Sequence, residues 1–261
     1  MLLLEETAEN LNIHEEKTLT KEDVLENKVK ALKKLDSLID SYINSPETLK
    51  KGNNLAYWIS QYCTAISFED KFNPKKLKSY KRGDVVKVHL GFNIGNELGG
   101  LHYCVVLDCK NAMGSGNITV IPLTSSKENK TYHNSTVNLG NEIYLSLKQK
   151  FDKVNTRFVE EATEIMKLKG QFDSLDEVQR QEYIYKLNKT MEDLAFVTKL
   201  ENEIERMKQG SIALVGQITT VSKQRIYDPQ TYKDMMSGIK LSSDSLSLID
   251  NKIKELFMKN I

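Results

Sequence analysis

The chain has 261 residues, 39% of them hydrophobic and 28% charged, and its 37 Lys+Arg balance 36 Asp+Glu. That length supports a substantial core, in one large domain or in one domain with an accessory part. The net charge of +1 excludes a strongly basic nucleic-acid coat, although a balanced total can hide local patches.

Residues 1–19 are polar and read as loose, and the three leucines of "MLLLEETAEN" are too few for a signal peptide. From Thr20 to about Asn44 the apolar residues Val24, Leu25, Val29, Leu32, Leu35, Leu38, Ile39 and Tyr42 recur at helical spacing. Thr20 with Asp23 forms a capping pair at the start. "SPET" restarts the chain, and a second helix near Asn54 to Phe68 carries Leu55, Trp58, Ile59, Tyr62 and Ile66. "FNPKKLKSYKRGD" is a basic linker. The period then changes to two: "VVKVHLGF", "HYCVVLDC" and "ITVIPLTSS" are strands, the last ending at Thr124, and "NSTVNLG" is a fourth. Short sequential strands with tight turns describe an antiparallel meander or small barrel.

Residues 142–209 lack proline and return to helical spacing, which predicts a long antiparallel hairpin turning within Gly170–Asp176, with Asp173 or Ser174 as cap. "GSIALVGQITTVSKQRI" reads as strand again, and an amphipathic helix from about Ser243 to Lys259 follows. The order implies an α+β protein: a helical region over 1–78, a β-domain over 79–141 and 210–261, and an inserted hairpin over 142–209. Cys63, Cys104 and Cys109 lack metal-ligand spacing, so no metal or cofactor is expected, and they suit a reducing, cytoplasmic setting. No 18-residue apolar run suits a membrane span.

The informative stretch is "GFNIGNELGGLHYCVVLDCKN", residues 91–111. Gly91, Gly95, Gly99 and Gly100 crowd one polar loop, and His102 stands where the loop enters a strand. Glycines permit positive φ and close backbone approach, but neither a dinucleotide nor a P-loop pattern is present. Asn96 and Glu97 add polar groups to the loop.

Three blocks, "YKRGDVVKVHLGFNIGNELGGLHYCVVLD", "ITVIPLTSSK" and "GSIALVGQITTVSKQRI", resemble the PemK/MazF family of toxin endoribonucleases, in the family's order. The resemblance implies a small SH3-like barrel that dimerises through its sheet and terminal helix. It also implies metal-independent cleavage of single-stranded RNA to a 2′,3′-cyclic phosphate and a 5′-hydroxyl, and a cognate antitoxin as inhibitor. The family's catalytic pair is an arginine after the Gly-Gly turn and the threonine ending the third strand. The threonine is Thr124, and His102 occupies the arginine position. Imidazole titrates near neutral pH and can serve as general acid or base. Thr124 would donate to a phosphate oxygen, with Glu97 steering His102 or contacting a base. Arg82, Lys87, Lys223 and Arg225 are candidates for phosphate charge, and Asn96 and Gln217 for orienting RNA. The N-terminal helices could act as a fused restraint in place of an antitoxin. Two other readings of the same residues are a non-catalytic interaction module and a gyrase-directed toxin.

Overall fold

The computed structural model describes residues 19–170, 172–207 and 209–259, so the reading of the first residues as loose lies outside the described part. The chain divides into two units, Met1–Gln61 and Tyr62–Ile261.

In the first unit, α1 (Lys21–Ile43) begins at the foreseen capping pair. Thr20 Oγ1 accepts from Asp23 N at 3.1 Å, and the Asp23 carboxylate accepts from Thr20 N at 3.0 Å. The next helix, α2 (Leu49–Phe68), starts earlier than its apolar residues suggest. Gly52 permits its first turns to touch the end of α1: a Cβ there would stand 2.9 Å from Tyr42 Cβ.

The second unit is built on an antiparallel sheet of β1 (Val85–His89), β2 (Leu101–Val106), β3 (Asn117–Ser125), β4 (Val137–Asn138), β5 (Ser211–Ala213), β6 (Thr219–Ser222) and β7 (Ile226–Asp228). Its order is β4-β5-β3-β2-β1-β7, with β6 also on β3. Among the described residues no ladder joins β4 to β7, so the sheet is open, where the sequence suggested a closed barrel. The block from Gly210 to Ile226 is likewise not one strand. It is cut into β5, β6 and the start of β7 by two 3-10 turns, Val215–Gln217 and Lys223–Arg225.

Period-two alternation sorts the strands onto two cores. Val86, Val88, Cys104, Val106, Ile118, Val120, Val221 and Ile226 form one, lined by Tyr80 and Leu90. Burial pushes the Cys104 thiol up to about 12, in keeping with a small core hydrophobe. Val85, Val105, Ile121 and Leu123 face the other core with residues of three helices, α3 (Glu142–Lys169), α4 (Glu177–Arg206) and α5 (Ser243–Phe257). Helices α3 and α4 form the hairpin, whose root is therefore part of the sheet's own core through Ile143, Leu147 and Leu200. The α4 cap is Asp176, in a box with Gln179, and not Asp173 or Ser174: a 3-10 turn, Phe172–Ser174, takes up the preceding residues. Farther out, Arg157–Asp193 and Lys189–Glu161 ion pairs tie the two helices at 3.5 and 3.3 Å. Their partly exposed position limits each to under about 1 kcal/mol, so apolar packing carries the hairpin.

Candidate functional site

The site follows from where β3 loses its pairing with β2. Its pairing with β2 runs Val106↔Val120, Val105↔Ile121, Cys104↔Pro122, and there it stops. On the other edge of β3, Leu214 N donates to Pro122 O at 2.9 Å, and Leu123, Thr124 and Ser125 pair with Ala213, Ile212 and Ser211 of β5. The β2/β3 ladder thus opens at one end. Two residues beyond its last pair stand His102 on β2 and Thr124 on β3. Alternation puts both on the face of Cys104 and Pro122, and both are half-buried.

The imidazole leans across this opening. Its Nδ1 lies 3.3 Å from the Leu123 carbonyl oxygen. A carbonyl can only accept, so Nδ1 carries the proton and the basic lone pair is on Nε2. Burial lowers the His102 pKa from its ordinary 6.5, and backbone hydrogen bonds with Leu123 and Gly99 offset part of that. The ring is therefore neutral at neutral pH.

The glycine loop frames the opening. Gly100 N donates to Gly91 O at 2.6 Å, and Leu90 N donates to Gly100 O at 2.8 Å. This closure brings Gly99 so near the incoming backbone that a Cβ on it would stand 2.7 Å from Gly91 O. Gly91 and Gly100 have φ of 101° and 88°, a region that L side chains avoid. The crowding of glycines is thus a requirement of a loop folded back on its own stem.

Gln217 pins that loop to the sheet. Its Oε1 accepts from Leu98 N at 2.8 Å, and its Nε2 donates to Asn96 O at 3.2 Å. Replacing it (Gln217→Ala) is expected to speed hydrogen exchange at the Leu98 amide about tenfold, the worth of one hydrogen bond of about 1.4 kcal/mol. Unchanged exchange there would show that the loop holds without it. Glu97 turns back on the loop, accepting from Ile94 N at 3.4 Å, while the hydrogen bonds at the His102 ring are with the backbone.

The cations foreseen around the phosphate separate. Arg225 lies near the opening: it donates through Nε to His89 O at 2.8 Å and through its terminal nitrogen to Leu90 O. His89 pairs with Leu101, the neighbour of His102. The other three depart from expectation, each because a nearer partner claims it. Arg82 is bound at the opposite end of β2, donating to Leu107 O at 2.5 Å and to the Asp250 carboxylate. Lys223 is buried at the far end of β3, with Nζ 3.2 Å from Ala112 O, and burial lowers its pKa. Lys87 points to the other face of the sheet, where Nζ meets Glu203 Oε1 at 2.7 Å.

That last contact involves two residues the sequence reading passed over. Tyr103, the cross-strand partner of Lys87, donates its hydroxyl to the same Glu203 oxygen. Burial and this bond raise the Tyr103 pKa far above the ordinary tyrosine value. The signal was in the sequence: Glu203 interrupts the apolar stripe of Leu200 and Ile204 on α4 and Met207 at its end, and a carboxylate in such a stripe needs a partner.

Residues 81–163 match the family described as PemK-like, MazF-like toxin of type II toxin-antitoxin system. No curated protein matches the chain. The matched segment contains the glycine loop, His102 and Thr124, while Gln217 and Arg225 come from the chain after the hairpin. No helix among the described residues is long and apolar enough to cross a membrane. Over residues 81–163 the chain is thus similar to the PemK-like, MazF-like toxins of type II toxin-antitoxin systems.

Proposed function

We propose that the chain is a toxin-type endoribonuclease that cleaves single-stranded RNA by internal attack of a 2′-hydroxyl. The observation that carries this reading is the pairing of a neutral imidazole, its Nδ1 proton held by Leu123 O, with a hydroxyl across the open end of one ladder. Nε2 of His102 takes the proton of the 2′-hydroxyl, and the 2′-oxygen bonds to phosphorus. The bond to the 5′-oxygen breaks, and that oxygen takes a proton from solvent. The products are a 2′,3′-cyclic phosphate and a 5′-hydroxyl. The Thr124 hydroxyl donates to a non-bridging oxygen. Arg225 supplies charge from the β1 side, and the exposed Lys127 does so from the end of β3. Attack from within the substrate needs no metal ion. The path of the sheet also supports a barrel-like reading: β6 returns along β3 and β7 along β1 across the short turn Lys223–Arg225.

A second reading is favoured by one observation. Three foreseen cations, Arg82, Lys87 and Lys223, are bound within the chain, which suits a non-catalytic interaction module. One assay separates the two: incubation of mixed-sequence single-stranded RNA with the chain in EDTA, followed by end-group analysis. Cyclic phosphate and 5′-hydroxyl ends are expected, and intact RNA would leave the module reading. The family carries an antitoxin partner, and we assign the inhibitory role here to such a protein or to residues 1–78. A chain lacking those residues, assayed alongside, cuts faster if the restraint is fused and at the parent rate if it is separate.

A further inference from the structure

The hairpin is not needed to complete the sheet, yet it reaches the strand that carries His102. Beyond Cys104↔Pro122 the backbone of β2 has no ladder to β3. Among the described residues, the ladder that holds the site end of β2 in its own plane is that with β1, through His89↔Leu101, Val88↔His102 and Lys87↔Tyr103. On the face away from the site, one α4 oxygen grips both members of the last of these pairs. Glu203 Oε1 lies 2.7 Å from Lys87 Nζ and accepts from the Tyr103 hydroxyl. The Lys87 and Glu203 side chains are only 13% and 6% exposed, so the contact is largely shielded from solvent. Lys87 also lies over the rings of Tyr103 and Tyr227, at 5.2 and 5.7 Å. A side chain next to His102 in sequence, and on the opposite face of the strand, is thus anchored to a helix rather than to the sheet.

We propose that Glu203 is a positioning residue: through Tyr103 and Lys87 it holds the splayed end of β2 so that the His102 ring stays seated against Leu123. The inference rests on the reading of His102 as the working base, and it makes the inserted hairpin a part of the site's geometry. A displacement of α4 would be felt at the imidazole.

The test is the NMR titration of the His102 imidazole in the full chain, for the parent, Glu203→Gln, Tyr103→Phe and Asp193→Asn. The last removes a hairpin ion pair that does not reach β2. Loosening the strand lets water reach the ring, so Glu203→Gln and Tyr103→Phe are expected to raise its titration midpoint by about half a pH unit, toward the ordinary value. The sign separates positioning from charge, because loss of a carboxylate acting through space would lower the midpoint. Asp193→Asn is expected to leave it in place. If Glu203→Gln fails to fold, Tyr103→Phe carries the test alone, since it deletes one oxygen and keeps the ion pair. Midpoints in the folded variants equal to the parent's, or lowered, would overturn the proposal. The titration needs no RNA: a parent that fails to cut sinks the nuclease reading, whereas a moved midpoint upholds the strand anchor by itself.

Discussion

Replacing His102 with alanine is expected to reduce RNA cleavage by about 10²- to 10⁴-fold, the usual contribution of a positioned general base. The reduction should fall on kcat, because the imidazole acts on the proton in flight and contributes little to holding a long substrate. The pH profile supplies the sign. Burial lowers the His102 pKa below 6.5, and the base form is the neutral one. Cleavage by the parent should therefore rise with pH on a limb lying below 6.5 and be level at neutrality. In Thr124→Val that limb is expected to stay where it is while the plateau drops about tenfold, the value of one hydrogen bond to a charged oxygen. A His102→Ala chain that cuts as fast as the parent would remove the imidazole from the chemistry.

The largest expected loss of stability comes from Leu200→Ala. Leu200 is fully buried where the hairpin root meets the sheet, in one cluster with Val85, Val105, Ile121 and Leu147. Removing its branched end should cost about 2–5 kcal/mol, from lost transfer free energy together with the cavity left behind. Urea denaturation followed by circular dichroism measures it. The circular dichroism midpoint should fall, with the strands and hairpin of the second unit unfolding together because they share that core. Met166, 74% exposed toward the hairpin's tip, is the control, with a change to alanine expected within about 0.5 kcal/mol. A Leu200→Ala chain as stable as the Met166→Ala chain would mean that the hairpin is an appendage.

The parts of the molecule legible in the sequence were those governed by local rules. Thr20 and Asp23 announce a helix start because a cap is satisfied within three residues. The alternation of Val86 and Val88 with Lys87 and His89 marks β1 because the pleat has a period of two. The glycine loop was legible as a turn, and its reason came only with coordinates, since the obstacle to a Cβ at Gly99 is the distant carbonyl of Gly91. The cations were misjudged for the same cause. Nothing local says that Lys87 meets Glu203, 116 residues along the chain, or that Arg82 meets Asp250. A charge in a strand reads as solvent-facing until its partner arrives from elsewhere. The neutral state of His102 was equally hidden, because it depends on burial. The resemblance pointed to His102 and Thr124, and only the register shows that both lie just beyond the last β2/β3 pair, Cys104↔Pro122.

The junction of the hairpin with the sheet carries one more consequence. The excursion leaves at Gly140 and comes back at Ser211, and these two residues are bonded, Ser211 N to Gly140 O at 2.8 Å. The point of departure and the point of return are one place. Chain-closure entropy grows only with the logarithm of length, and doubling a loop costs about 0.6 kcal/mol. The β-scaffold is therefore almost indifferent to how far the two helices travel beyond their buried roots, and their length is free to be set by whatever lies at the far tip.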